Sequence, residues 1–100
     1  MSVKRVRTVF DAGGRGDDYF NSRLRAEMRG MGLRFVHSRA GADAVLQSNG
    51  QGTPEGGFEG FAVFTAPSGR EIWSAKVTRA PRSRVMAFDS LADKLRAARR

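Results

Sequence analysis

The chain has 100 residues, 40% of them hydrophobic, which is enough for one modest hydrophobic core and too little for a second domain. Lysine and arginine number 18 against 10 acidic residues, and the formal net charge of +8 favours encounters with nucleic acid, anionic lipid or an acidic protein. The absence of cysteine excludes disulfides and thiolate metal sites. No apolar run has the length of a signal-peptide core or a transmembrane helix, so we expect the chain as given to be soluble.

The first half of the chain predicts a strand, a helix and two short strands. The predicted elements are a strand over residues 3–10, a helix over 17–31 and brief strands over 33–36 and 42–47. Phe20, Leu24 and Met28 are four residues apart, as expected of a buried helical face. Asp17 is suited to the N-cap. Leu33 follows a glycine after the helix and is placed to contact Met28 in a Schellman closure.

Residues 58–78 predict a β-hairpin with a three-residue loop. Pro67 pre-sets φ for the second position of a type I turn, and Gly69 supplies the positive φ needed at its end. Ala66 and Arg70 then close the loop. The resulting register places Val63 opposite Trp73, Phe61 opposite Ala75 and Phe64 opposite Ile72.

This register assigns the hairpin side chains to two faces. The face predicted to lie in the core holds Phe61, Val63, Trp73, Ala75 and Val77. The other face holds Phe58, Ala62, Phe64, Ile72, Ser74 and Lys76. A small domain does not normally leave large apolar residues together in water. We therefore predict that Phe58, Phe64 and Ile72 bind a partner.

A loop and a second helix complete the predicted fold. Residues 48–57, SNGQGTPEGG, are rich in glycine and polar side chains and predict a mobile loop. Residues 86–98 predict a helix that buries Phe88, Leu91 and Leu95 on one face. The order is β-α-β-β-β-β-α in a single domain over residues 1–100. This predicts an α+β two-layer sandwich, with two helices packed on one face of a mainly antiparallel sheet.

Three short motifs resemble small bacterial cell-envelope domains. They are the helix end MGLRFV, the strand ADAVLQ and the hairpin segment SGREIWS. In these motifs the chain is similar to the N-terminal domain of the translocation protein TolB, to CsgG-like lipoproteins, to penicillin-binding-protein activator lipoproteins and to LptE. The resemblance implies a periplasmic or cell-envelope location for a chain whose export signal has been removed, with a cytoplasmic location as the alternative. The lipidated cysteine of such lipoproteins is absent from this sequence.

No set of residues predicts catalysis, a cofactor or a metal ion. Residues 12–16, AGGRG, lie between a strand and a helix as phosphate-binding loops do, but they lack the Gly-Lys-Ser/Thr ending and precede two aspartates, so we predict a plain loop. His37 is the single histidine and has no cysteine nucleophile to activate, which favours a structural or surface role. Asp43 and Glu71 could meet across the sheet, but a paired-carboxylate hydrolase usually needs a larger scaffold.

Basic residues form the remaining functional signal. Nine of them could converge on one end of the domain and bind phosphates: Lys4, Arg5, Arg7, Arg79, Arg82, Arg84, Arg96, Arg99 and Arg100. Such a patch supports the alternative function, a small basic nucleic-acid-binding protein. Neither helix has an uninterrupted basic face, and the aromatic residues lie in apolar patterns, which favours an ordinary solvated surface.

The sequence therefore favours a non-enzymatic macromolecular interaction domain of a bacterial cell-envelope protein. The expected mode of binding is through a sheet face or an exposed sheet edge. The expected partner is another protein, a second copy of the chain included, with nucleic acid as the alternative.

Overall fold

Two helices pack on a five-stranded sheet in a computed structural model that describes residues 2–79 and 84–100. A 3-10 turn at Val3–Arg5 comes first. The remaining elements in chain order are β1 (Thr8–Gly16), α1 (Asp18–Gly30), β2 (Arg34–Val36), β3 (Ala44–Gly52), β4 (Phe58–Thr65), β5 (Glu71–Arg79) and α2 (Arg84–Ala98). The strand order in the sheet is β2-β1-β3-β4-β5. The predicted α+β class and the predicted order of elements are confirmed.

The sheet is mixed, with parallel pairing on one side of β3 and antiparallel pairing on the other. β1 runs parallel to both of its neighbours, β2 and β3, while β4 is antiparallel to β3 and β5. β2 is parallel to β1 because α1 carries the chain back to the starting end of β1, and β3 is parallel to β1 because residues 37–43 carry the chain back a second time. The first strand begins at Thr8 instead of residue 3. Residues 3–5 form the 3-10 turn, whose Lys4 N–H donates to the Ser2 hydroxyl at 3.2 Å.

Both ends of α1 form as predicted. The Asp17 carboxylate accepts a hydrogen bond from the Phe20 N–H at 2.7 Å, which makes Asp17 the N-cap. At the other end the Leu33 N–H donates to the Met28 carbonyl at 3.1 Å, the long bond of a Schellman closure. Between these ends Phe20, Leu24 and Met28 are buried against the sheet. Helix α2 contributes its own buried face, which consists of Ala87, Phe88, Leu91, Ala92 and Leu95.

The aromatic ring of Phe20 packs directly on the backbone of the sheet. Gly50 in β3 and Gly60 in β4 make room for it, and a Cβ added at Gly60 would lie 2.7 Å from the ring. Carbon atoms that are not bonded do not approach this closely in a packed interior. Glycine at these two positions therefore allows α1 to pack close to the sheet.

Residues 12–16 belong to β1 and do not form the predicted loop. One extra residue bulges the strand, and from Gly14 onward β1 pairs again with β3. The buried Asn21 side chain lies against Gly14, donates to the Arg15 carbonyl at 3.0 Å and accepts from the Ser48 hydroxyl at 2.7 Å. The absence of a side chain at Gly14 thus lets a helix amide join two strands.

The connection between β3 and β4 is shorter than the loop predicted over residues 48–57. Residues 48–52 continue β3 and pair with β4, so that only residues 53–57 connect the two strands. The Thr53 N–H donates to the Gly57 carbonyl at 3.0 Å and closes this connection. Pairing with β4 satisfies the backbone groups of a segment whose composition alone indicates a loop.

The turn of the β4–β5 hairpin is the predicted one. The Ala66 N–H donates to the Arg70 carbonyl at 2.7 Å, and the Gly69 N–H donates to the Ala66 carbonyl at 2.8 Å. Gly69 has a φ of 99°, in the left-handed region that side chains with a Cβ avoid. The three-residue loop and its positive-φ glycine are confirmed.

Beyond the turn, the predicted register is wrong by one residue. Thr65 pairs with Glu71, but the next pair is Phe64 with Trp73, which leaves Ile72 as an extra residue in β5. A bulge of this kind shifts every later pair by one position. Each β4 side chain therefore shares a face with a different set of β5 side chains from the predicted one. Phe64, for example, lies on the same face as Trp73.

The shifted register changes the composition of the core. Ala62 and Phe64 face the helices together with Phe58, whereas Phe61 and Val63 lie on the opposite side. Trp73, Ala75 and Val77 point toward the helices as predicted. The prediction that Trp73 packs beneath the helices with Phe61 and Val63 is wrong. Trp73 is partly buried, and its ring contacts that of Phe64 at a centroid distance of 5.6 Å.

Candidate functional site

The side of the sheet opposite to the helices carries no second layer of helix or strand within residues 2–79 and 84–100, and we call it the open face. Side chains two residues apart along a strand share a face, and paired residues on neighbouring strands do so as well. By this register the side chains of the open face include Phe10, Arg15, Val45, Gln47, Asn49, Glu59, Phe61, Val63, Ser74 and Lys76.

One half of the open face is closely packed. The guanidinium of Arg39, in the connection between β2 and β3, lies 5.4 Å from the centroid of the Phe10 ring. Val45 and Val63 beside it are 2% and 9% exposed. This half is therefore covered by the chain itself and offers little apolar surface to a partner.

The other half presents one side chain from each of four strands in a single row. Arg15 on β1, Asn49 on β3, Phe61 on β4 and Lys76 on β5 are neighbours in the strand register, and we call them the Phe61 row. Phe61 is 39% exposed. The row borders a shallow depression of about 270 Å³ that is also lined by Gln47. An aromatic ring flanked by cations and amides offers both apolar contact and hydrogen bonding.

The structure does not support the predicted set of partner-binding residues. Phe58 and Phe64 are 6% and 0% exposed and lie in the core beneath the helices, and Ile72 packs against the same core. The reason is the bulge at Ile72, which turns Phe61 outward in place of Phe64. Phe61 is therefore the aromatic residue that β4 exposes, and sequence reasoning placed it in the interior.

The predicted basic residues occupy two ends of the sheet rather than one. Arg79 pairs with Phe58, at the opposite end of β4 from the turn, and Arg84 begins α2. Residues 4–7 precede β1 at the other end, where α2 also finishes. Arg82 lies outside the described residues. The convergence of all nine cations that was predicted from sequence is therefore wrong.

Part of the predicted patch does assemble, and we call it the basic end. It consists of Lys4, Arg5, Arg7, Arg99 and Arg100. Arg7 Nη1 donates to the carbonyl oxygens of Lys4 and Val6 at 2.9 and 3.2 Å. Arg99 Nη1 donates to the same Val6 oxygen at 2.7 Å and to the Val3 carbonyl at 3.3 Å. The 3-10 turn thus holds two guanidinium groups side by side.

The electrostatics of Arg99 differ from those of Arg96 one turn earlier. Burial, together with the positive charge of Arg7, lowers the pKa of Arg99 below its usual value. Arg96 instead donates to the Glu27 carboxylate at 2.7 Å and to Asp93 at 2.8 Å, and the Glu27 hydrogen bond raises the pKa of Arg96. Arg96 is therefore neutralised locally and does not contribute to the basic end.

The remaining candidate residues have structural or solvent-exposed positions. His37 is exposed. The Asp43 carboxylate accepts from the backbone N–H groups of Arg7 and Thr8 at 2.9 and 3.2 Å, while Glu71 accepts from the Ser74 hydroxyl at 3.1 Å. These two carboxylates thus have separate partners. In the described part of the chain no group of three or more His, Cys, Asp or Glu side chains could hold a metal ion.

Comparison with known proteins identifies the fold. No family model and no curated protein matches the chain. The chain is similar to the PelC dodecamer from Paraburkholderia phytofirmans, with 16% sequence identity, a TM-score of 0.60 and coverage of 98% of this chain and 89% of that one. It is also similar to the solution structure of an uncharacterized lipoprotein B from Nitrosomonas europaea, with 12% identity, a TM-score of 0.52 and coverage of 98% and 84%.

At such low identity these likenesses establish a shared fold. The predicted resemblance to small envelope lipoprotein domains is supported to that extent, since a lipoprotein has this fold. Neither within residues 2–79 nor within 84–100 is a helix long and apolar enough to cross a membrane.

Proposed function

We propose that this chain is a non-enzymatic interaction domain of a bacterial cell-envelope protein that binds a second copy of itself through the Phe61 row and the adjoining edge of β5. The observation that carries the proposal is the 39% exposure of Phe61 at the centre of an otherwise polar row. A large aromatic residue surrounded by polar groups is typical of the centre of a protein interface, where aromatic side chains are enriched and a few residues supply most of the binding energy.

The charges around Phe61 suit contact with a second copy. Glu59 lies two residues before Phe61 on the same strand and the same face, while Lys76 is paired with Phe61 across β5. The open face therefore carries both signs of charge close to the aromatic ring. When two such faces meet about a two-fold axis, Glu59 of one copy can approach Lys76 of the other, which is the reciprocal pairing that a symmetric interface requires.

The outer edge of β5 offers a second kind of contact. β5 is the last strand of the sheet and runs for nine residues, whereas β2 at the opposite edge has only three. The outward N–H and C=O groups of a long edge strand can pair with a strand of another chain. Because Lys76 is on this strand, face contact and edge contact form one continuous surface.

The comparisons support self-association and an envelope location. PelC, which shares the fold, is a dodecamer, and the second structure with this fold is a lipoprotein. Oligomers built from one chain reuse the same surface patches in every copy, so that one exposed aromatic residue recurs at every equivalent interface.

The test is a pair of charge-matched substitutions on opposite sides of the domain. Phe61→Glu places a carboxylate in the proposed interface, and Ala26→Glu places the same charge on the exposed side of α1. Light scattering over a range of concentrations measures association, and a thermal melt measures folding. We expect the wild type and Ala26→Glu to associate equally, and Phe61→Glu to remain monomeric with a nearly unchanged melting temperature.

Two results would overturn this proposal. The first is a wild-type chain that stays monomeric at every concentration, since a second copy is then not the partner. The second is equal weakening of association by Phe61→Glu and Ala26→Glu, since the effect would then come from net charge rather than from the Phe61 row.

A further inference from the structure

The basic end lies away from the proposed interface and holds two guanidinium groups close together. It lies at the end of the sheet where β1 begins, whereas Arg15 and Phe61, which both pair with Asn49, lie level with the far end of β1. Its central feature is the Val6 carbonyl oxygen, which accepts hydrogen bonds from Arg7 Nη1 and from Arg99 Nη1 at 3.2 and 2.7 Å. The two nitrogen atoms are therefore at most about 6 Å apart.

These two guanidinium groups are held by neutral oxygen atoms. Among residues 2–79 and 84–100, the acceptors that their side-chain hydrogen bonds reach are backbone carbonyls, those of Val3, Lys4 and Val6. Within residues 2–79 and 84–100, the ion pairs of 4.0 Å or less involve other arginines. The Asp43 carboxylate accepts from the Arg7 and Thr8 N–H groups, and these hydrogen bonds, with a smaller contribution from the charge of Arg7, lower its pKa and keep it negatively charged. Asp43 offsets part of the charge of Arg7, and one carboxylate beside two guanidinium groups leaves a net positive charge at the pair.

Both side chains keep hydrogen-bond donors for a ligand. A guanidinium has five N–H donors, and in the part of the chain that the structure describes Arg7 and Arg99 each use only Nη1 toward the protein. Arg7 is exposed, and no buried side-chain nitrogen of the partly buried residues in the described part of the chain, Arg99 included, lacks a hydrogen-bond partner, so the unused nitrogens of both arginines are accessible to solvent. Two guanidinium groups with free donors, side by side, match the oxygen atoms of a tetrahedral phosphate.

We infer that Arg7 and Arg99 form a binding site for a phosphate group, carried by an anionic lipid headgroup or present as free phosphate. Lys4 and Arg5 lie on the 3-10 turn beside the pair, and both are exposed. They add long-range attraction toward an anionic surface. Burial and, to a smaller extent, the charge of Arg7 lower the pKa of Arg99, and a bound phosphate relieves the repulsion between the two guanidinium charges.

The first experiment locates binding with inorganic phosphate. A titration of the folded chain is followed by backbone amide chemical shifts, with chloride at the same ionic strength as the reference. We expect shifts confined to residues 3–7 and 96–100. Arg7→Lys keeps the charge but loses the planar pair of donors, and we expect it to weaken phosphate binding while the fold is retained. Shifts spread over the whole surface, or none, would overturn the proposal.

The second experiment uses sedimentation with lipid vesicles to identify the source of the phosphate. Vesicles of phosphatidylcholine are compared with vesicles containing phosphatidylglycerol. Each basic residue near an anionic membrane changes binding by about fivefold, so we expect Arg7→Gln to reduce association by about that factor. The matched control is Lys94→Gln, which removes the same charge from an exposed position on α2. We expect Lys94→Gln to have a clearly smaller effect.

The two experiments together distinguish a lipid headgroup from free phosphate as the ligand. Localised phosphate shifts with binding to anionic vesicles support a lipid headgroup, and the same shifts without vesicle binding support free phosphate. Equal losses in Arg7→Gln and Lys94→Gln would show that net charge alone drives binding and would refute the site. Tighter binding of a single-stranded oligonucleotide through the same residues would make nucleic acid the ligand and would also overturn the proposal.

Discussion

The contrast between Phe61 and Phe64 gives the sharpest prediction, because they are the same residue type on one strand. Phe64 is 0% exposed in the core, and Phe61 is 39% exposed on the open face. Replacing each by alanine removes the same atoms. The difference between the two losses of stability therefore reports on which face of β4 is buried.

The expected magnitudes are well separated. Phe64→Ala leaves a cavity beneath the helices and should cost about 3–5 kcal/mol. Phe61→Ala gives up only part of its contacts and should cost about 1 kcal/mol or less. For a domain of this size 1 kcal/mol corresponds to about 4–8 °C near the midpoint, so the melting temperatures of the two variants should differ by about 8 °C or more.

The measurement is urea unfolding of both variants beside the wild type, followed by thermal melts. Equal costs, or a larger cost for Phe61→Ala, would refute the reasoning. That result would mean that Ile72 is not an extra residue in β5 and that the register continues without a shift from the turn. The Trp73 ring contacts Phe64 in the structure, so its fluorescence should also change more in Phe64→Ala than in Phe61→Ala.

Three further predictions concern the turn, a buried amide and acid stability. Gly69→Val should destabilise the hairpin by about 1–2 kcal/mol in urea unfolding, because a β-branched side chain disfavours a φ of 99°; a neutral effect would contradict the turn geometry. Asn21→Ala should cost about 1–3 kcal/mol because it leaves the buried Ser48 hydroxyl without its acceptor, and adding Ser48→Ala should recover part of the loss. The pKa of Asp43 is lowered, chiefly by the Arg7 N–H, so its contribution to stability is present above the unfolded pKa of about 3.9 and disappears as the pH falls through the lower folded value. Urea midpoints from about pH 7 to about pH 3 should therefore fall less steeply in Asp43→Asn than in the wild type; parallel curves would contradict this.

Helix α1 and the hairpin turn show what the sequence by itself determined. The Asp17 cap, the Leu33 to Met28 closure and the positive φ of Gly69 all depend on residues within six positions of one another. Capping and turn formation are local interactions, so the residues that make them are adjacent in the chain. The same holds for the buried faces of both helices, which follow from the helical repeat.

The tertiary structure alone decided how β4 faces the helices. The extra residue Ile72 has no local signature, because a bulge is defined by a mismatch with the partner strand. A one-residue shift exchanges the two faces of a strand. The turn was therefore predicted correctly, whereas Phe64 was predicted as the exposed residue in place of Phe61.

The conformation of the glycine-rich residues and the grouping of the basic residues also depend on contacts between distant parts of the chain. The glycine-rich residues 12–16 are a strand because Asn21 of α1 fills the space at Gly14 and the backbone pairs with β3. Arg7 and Arg99 are separated by most of the chain and meet at one carbonyl oxygen because β1 begins where α2 ends. Composition records that such residues are present, but only the packed arrangement of helices and strands determines which of them become neighbours.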